Sequence, residues 1–96
     1  MKNLSALHQS ADDLSVRKLF EGEKGTATTI QFQKNGTLKE HVTQTPALLL
    51  CIDGRVTYKD ENQQEFTLET GDFVHIVPNV KHWLYASLTS QLILLK

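Results

Sequence analysis

Cysteine, proline and tryptophan are scarce in this sequence, and no stretch of it is long in apolar residues or in charge of one sign. A single cysteine, Cys51, excludes an internal disulfide. The expected setting is therefore reducing and intracellular, that is, cytoplasmic. The longest apolar run, residues 47–52, is far too short to span a bilayer, and residues 1–5 lack the apolar stretch of a signal peptide. Ten Lys and Arg side chains nearly cancel eleven Asp and Glu, for a formal net charge of -1. No long-range field favours nucleic acid or an anionic membrane, and neither is expected as a partner. Helix signals are scarce as well: only residues 3–11 suggest one, with Leu4, Leu7 and Ala11 on one face.

What the sequence does contain is alternation. Ninety-six residues, 40% of them hydrophobic, predict one domain over 1–96 with a single modest core. A chain of this size buries roughly 60–70% of the surface its unfolded form exposes. Leu14, Val16 and Phe20 alternate imperfectly with Ser15, Arg17 and Leu19. Ile30 and Phe32, Val56 and Tyr58, and Phe66 and Leu68 each alternate with polar neighbours, which marks half-buried strands. The runs 48–52, 73–77 and 92–95 predict more fully buried strands. Asn35-Gly36 and Asp53-Gly54 read as hairpin turns because these residues tolerate positive φ. A polar loop over 59–64, Thr70-Gly71-Asp72 and Pro78-Asn79 supply further punctuation. Many short strands at regular spacing predict an all-β sandwich or barrel.

Two segments carry more than strand signals. The first runs Gly36-Thr-Leu-Lys-Glu-His41-Val-Thr43-Gln-Thr-Pro-Ala47-Leu-Leu-Leu-Cys-Ile-Asp-Gly54. The second runs Gly71-Asp-Phe-Val-His-Ile-Val-Pro78-Asn79-Val-Lys-His82-Trp-Leu-Tyr-Ala86. Together they resemble the two motifs of the cupin family, over residues 36–86; residues 1–35 hold an N-terminal segment and strands outside the motifs. His41 falls on the first motif histidine, Thr43 on the second and Ala47 on the motif glutamate, with Gly54 closing the motif. Gly36 stands one residue nearer His41 than the pattern expects. In the second motif Gly71 and His82 fit in spacing, Val77 takes the proline position with Pro78 directly after it, and Ala86 takes the terminal asparagine. Asn79 stands at the motif glycine, a mild exchange, since Asn tolerates the left-handed conformation better than most residues.

The resemblance implies a cupin-type antiparallel β-barrel, also described as a double-stranded β-helix or jelly roll. It further implies a site in which four motif residues hold a divalent metal that activates oxygen or a carbonyl substrate. This chain keeps the spacing with half of the donors. Thr43 offers a neutral hydroxyl, a poor ligand, and Ala47 offers nothing. Glu40 should face the opposite side of its strand from His41, and Asp53 lies roughly 20 Å along the chain from Ala47. No cofactor is therefore expected, beyond a weak divalent metal on His41 and His82. Residues 41, 43 and 47 share parity, as do His82, Leu84 and Ala86, with Trp83 and Tyr85 on the other face. The expected barrel pocket is lined by His41, Thr43, Ala47, Cys51 and His82. Cys51 is expected to be an inert interior thiol, and Tyr58 a core residue. His75 reads as a surface or partly buried strand residue, and His8 lies in a segment with no clear structure.

Three functions compete. One is a small single-domain cupin of unassigned activity that binds a small molecule in the barrel without a tightly bound metal. Another is a metal-dependent enzyme, of dioxygenase or isomerase type, working with the reduced ligand set of His41 and His82. The third is metal-free acid–base catalysis by either histidine, weakened by the lack of an identifiable inward carboxylate. Whether the chain is an enzyme stays open, as does the identity of its ligand. A homodimer is expected through the face carrying Trp83 and Tyr85, helped by the strand over 14–20, because edge strands and exposed aromatics are liabilities that pairing removes. The family resemblance points the same way.

Overall fold

The computed structural model describes residues 2–96. A four-residue 3₁₀ turn (Leu4–Leu7) is followed by nine strands: β1 (Leu14–Glu21), β2 (Thr26–Phe32), β3 (Thr37–His41), β4 (Ala47–Asp53), β5 (Arg55–Asp60), β6 (Glu65–Glu69), β7 (Phe73–Ile76), β8 (His82–Ala86) and β9 (Ser90–Leu95). They form a five-stranded sheet in the order β1-β2-β9-β4-β7 and a four-stranded sheet in the order β3-β8-β5-β6. Every pairing is antiparallel. Only β1–β2 and β5–β6 are hairpins; every other connection carries the chain from one sheet to the other. This is a jelly roll, as the alternation and the motif spacing predict. It is not a closed barrel: among the described residues no strand pairing joins the two sheets, which are layers of a sandwich.

The Asn35-Gly36 and Asp53-Gly54 turns are corners between sheets, not the expected hairpins. The conformational reasoning behind them still holds, with Asn35 at φ 71° and Gly54 at φ 103°. Gly54 is constrained twice, since a Cβ there would also strike the Ser90 hydroxyl and the Thr89 carbonyl across the corner. A two-residue turn between adjacent strands needs the same dihedrals as a tight corner, so the local signal could not distinguish them. The actual hairpins use less conspicuous chemistry. Gly22 N–H donates to Gly25 O at 2.7 Å in one. In the other, Asp60 Oδ1 accepts from the backbone N–H groups of Asn62 (2.9 Å) and Gln64 (3.1 Å).

Inward residues from both sheets form the core. Phe32, Leu49, Cys51, Val56 and Leu92 are almost wholly buried, joined by Tyr58, Leu68, Ile76, Leu84 and Ala86. The segment over 73–77 departs from its expected burial. As β7 it forms an edge of its sheet, with Phe73, His75 and Val77 exposed and only Ile76 fully buried. In β1 the apolar stripe is also largely outside: Val16 is 52% and Phe20 66% exposed, and an irregularity in register between Lys18 and Phe20 interrupts the alternation.

The expected helix over 3–11 is only the 3₁₀ turn, capped by the Asn3 side chain accepting from Ser5 N–H at 2.9 Å. His8 follows it and docks against the outer face of β1 and β2. Its Nδ1 lies 2.8 Å from Ser15 Oγ and its Nε2 3.1 Å from Thr29 Oγ1, and all three residues are buried. His8 is thus a structural tether, a role its sequence neighbourhood did not suggest. Replacing it by Ala would leave both hydroxyls without their partner. We expect His8→Ala to cost about 1–3 kcal/mol in a urea unfolding experiment. It should also raise amide exchange over residues 3–11, while the His82 pocket stays intact by NMR.

Candidate functional site

A pocket of about 260 Å³ lies between the two sheets. Its walls are aliphatic: Ile30, Leu49, Ile76 and Leu94 from the five-stranded sheet, Leu38 and Leu84 from the other. The edge strands β1 and β3 add Val16 and His41, and Thr43, His82 and Lys96 complete the polar lining with Thr28. A larger hollow of about 680 Å³ runs along β6 and β7, but it is an open trough beside two edge strands. The smaller pocket is where the candidate chemistry converges.

The two histidines meet because β3 ends where β8 begins. His41 and His82 are register partners, and their rings sit edge to face with centroids 5.6 Å apart. Tyr58, from the neighbouring β5, stacks on the other side of His82 at 5.6 Å. His82 is only 3% exposed, whereas His41 is at the surface. His82 Nδ1 lies 3.2 Å from the Val80 carbonyl oxygen. A carbonyl only accepts, so Nδ1 carries the proton and Nε2 keeps its lone pair. Burial pushes the His82 pKa below its ordinary value; the Val80 hydrogen bond opposes this, nearby His41 adds to it, and Asp60 opposes it. The ring is therefore a neutral acceptor near pH 7.

Thr43 reaches the pocket by a different route. It lies two residues beyond the end of β3, and its carbonyl accepts from Asn79 N–H at 2.8 Å. Asn79 adopts φ 64°, the left-handed conformation that the motif glycine would supply. This bond ties the two motif segments together. The Thr43 side chain is 3% exposed, yet Oγ1 has no hydrogen-bond partner among the described residues.

Two residues expected in the lining are elsewhere. Ala47 and Cys51 are buried in the core and do not line the pocket. The shared parity of 47, 49 and 51 is right, as the burial pattern of β4 shows, but it is Leu49 that lines the pocket. Nor do 41, 43 and 47 lie on one strand: His41 ends β3 in one sheet and Ala47 opens β4 in the other. The Cys51 thiol points to the Asp53 carbonyl at 3.7 Å, and burial raises its pKa, as suits an inert core residue. Sequence reasoning missed Leu38, Val16 and Lys96 as lining. It also left Asp60 in a loop, although the alternation Val56, Tyr58, Asp60 extends β5 by one more inward residue. Asp60 is 8% exposed and is the register partner of His82.

The possible metal donors lining the pocket are the imidazoles of His41 and His82 and the hydroxyls of Thr28 and Thr43. Among the described residues no group of three or more His, Cys, Asp or Glu is placed to hold one. Two imidazoles and neutral hydroxyls lack the anionic or third nitrogen donor that such sites use. Glu40 is turned away and pairs with Lys81 at 3.4 Å, and Asp60 Oδ1 is committed to the β5–β6 turn. On the outer face of β8, Trp83 is half-buried, and Tyr85 Oη donates to Asn35 Oδ1 at 2.7 Å.

The lowered pKa of His82 has a consequence for stability. Its folded value lies below the ordinary 6.5, so as pH falls through 6.5 the unfolded chain takes up the proton first. Stability is then lost progressively until the folded value is passed. His8 is shifted in the same direction, by burial and then by Arg17. We expect the urea midpoint to fall between pH 7.5 and pH 5.5, and His82→Gln to flatten part of that slope. A slope unchanged in His82→Gln would mean that the ring is not held neutral by its surroundings.

Comparison with known proteins agrees with this architecture. The family model described as "Cupin domain" matches residues 28–95. No curated protein matches the chain. Among solved structures, a cupin superfamily protein from Desulfitobacterium hafniense is 12% identical with a TM-score of 0.84, covering 97% of this chain and 84% of its own. A conserved protein of unknown function from Streptococcus pyogenes is 18% identical with a TM-score of 0.82, covering 99% and 83%. An RmlC-like cupin with a double-stranded β-helix fold from Methanocaldococcus jannaschii is 21% identical with a TM-score of 0.77, covering 92% and 83%. At these identities the structures speak to the fold, and the family match speaks to descent: the chain belongs to the cupin family.

Proposed function

We propose that this cupin binds a small molecule in the pocket between its sheets, without a tightly held metal. The observation that carries this is the pocket's composition: aliphatic walls closing on a buried, neutral imidazole and an unpartnered hydroxyl, with the second imidazole, His41, exposed and no carboxylate among the lining side chains. Its volume of about 260 Å³ is near the lower limit of ordinary ligand sites, roughly 300 Å³, which favours a compact ligand. A second reading, a metal-dependent enzyme of dioxygenase or isomerase type, draws support from the 5.6 Å approach of His41 and His82 and the free Nε2 lone pair. Metal analysis separates them. Protein purified without chelator or affinity nickel should hold far less than one equivalent of iron, manganese, zinc, nickel or copper. Near-stoichiometric metal, lost in His41→Ala and His82→Ala, would reverse the order of the two readings.

The free, buried Cys51 suits a reducing cytoplasm. Among the described residues no helix is long and apolar enough to cross a membrane. We also propose a homodimer through the outer face of β8, where Trp83 and Tyr85 border a groove with Thr57, Lys59, Glu65 and Thr67. Aromatics are enriched in such interfaces, and this face lies opposite the pocket side of β8. Light scattering after size exclusion should give a mass near twice 10.9 kDa, reduced in the Trp83→Ala, Tyr85→Ala double variant. A monomer at all micromolar concentrations would remove the dimer.

A further inference from the structure

The polar end of the pocket specifies more than size. Thr43 Oγ1 is buried and has no hydrogen-bond partner among the described residues. Burying a hydroxyl without a partner costs free energy, and Thr43 lines a cavity whose occupant could supply one. Of the polar residues lining the cavity, Thr43 and His82 are buried, Thr28 is half-buried, and His41 and Lys96 are exposed. The Val80 carbonyl occupies the only donor of the neutral His82 ring and leaves Nε2 as an acceptor. The end therefore presents one acceptor and one hydroxyl that can donate.

We propose that the occupant of this pocket is a small, neutral, largely apolar molecule bearing a hydroxyl group, which donates to His82 Nε2 and accepts from Thr43 Oγ1. This rests on the small-molecule reading above and names its chemical class. A hydroxyl is the smallest group that both donates and accepts, and so answers both partners at once. A ketone or ether only accepts and leaves the imidazole nitrogen unpaired. A carboxylate fails in the same way, and the buried groups here carry no formal positive charge to offset its desolvation. The one lysine of the lining, Lys96, is exposed and would draw an anion to the mouth. The aliphatic walls from Ile30, Leu49, Ile76 and Leu84 suit the apolar remainder of the ligand.

Matched probes test this on the full chain, freed of metal by dialysis against EDTA. Phenol and toluene have nearly the same shape and differ by the hydroxyl; benzoate adds the charge. Binding is followed by NMR at the Thr43 methyl and the His82 ring nitrogens. Phenol should bind about tenfold more tightly than toluene, a difference of about 1.4 kcal/mol, and should shift Nε2. Thr43→Val should bring phenol towards the toluene level and leave toluene unchanged. It should also raise the thermal midpoint of the ligand-free protein, because the variant no longer buries an unpaired hydroxyl. Equal binding of phenol and toluene would show that water satisfies these groups, and would overturn the proposal while leaving the small-molecule reading intact. Tightest binding by benzoate, weakened in Lys96→Met, would overturn it in favour of an anion site. If none of the three perturbs the pocket, the proposal and the small-molecule reading fall together. The wild-type phenol-to-toluene ratio decides the question even if Thr43→Val does not fold.

Discussion

The two sheets are held together by side-chain packing and by the corners of the chain, with no ladder hydrogen bond between them among the described residues. Everything else in this structure depends on that constraint. A closed barrel fixes its interior through backbone geometry, whereas a sandwich fixes it through what fills the gap. Here Phe32, Cys51, Val56 and Leu92 fill one part of the interior to near-complete burial. Elsewhere the facing side chains are Leu, Ile and two imidazoles, and they leave a hollow. The pocket is the part of the interlayer space that the core does not occupy, so its shape and the protein's stability share the same residues, Ile30, Leu49, Ile76 and Leu84.

Within that frame one backbone hydrogen bond organises the polar end. Asn79 N–H on the Thr43 carbonyl holds a segment that belongs to no strand against the turn leading into β8. It forms with Asn79 at a positive φ, and it holds Thr43 in the lining of the pocket that His82, at the start of β8, also lines. The site is thus assembled from two strand ends and a turn. His41 and His82 are register partners at the end of the β3–β8 ladder, and that cross-strand position brings their rings together edge to face.

Much of this was legible in the sequence where the signal is local and periodic. The alternation in β2, β5 and β8 and the motif spacing placed His41, Thr43 and His82 together and put Trp83 outside. What failed was information carried by tertiary context. Asn35-Gly36 and Asp53-Gly54 announced their dihedrals correctly, but not whether the chain would turn back along the same sheet or cross to the other. Ser15 is buried because His8 covers the outer face of β1, a contact over seven residues that no periodicity encodes, while Val16 keeps the pocket face but stays exposed on an edge strand. Phe73 and Val77 were expected inside because an apolar run does not reveal an edge position. Ala47 and Cys51 were assigned to the site on parity, which fixes the face of a strand but not the depth along it.

The features that make this pocket chemically distinctive are also costs to the folded state. Thr43 Oγ1 gives up its water partners without a protein replacement, and burial at His82 disfavours the proton the ring would carry in water. An alkyl group at position 43 and a packed hydrocarbon at position 82 would relieve both, and the aliphatic walls around them show that this interior accommodates such groups. A molecule that satisfies the hydroxyl and the imidazole together removes both costs at once, and by linkage it binds the folded state at the expense of the unfolded one. Binding and stability at this site are therefore one free energy viewed from two sides. On the proposed reading, affinity would be set less by the walls, which any apolar probe can use, than by how completely an occupant answers the Thr43 hydroxyl and the His82 imidazole.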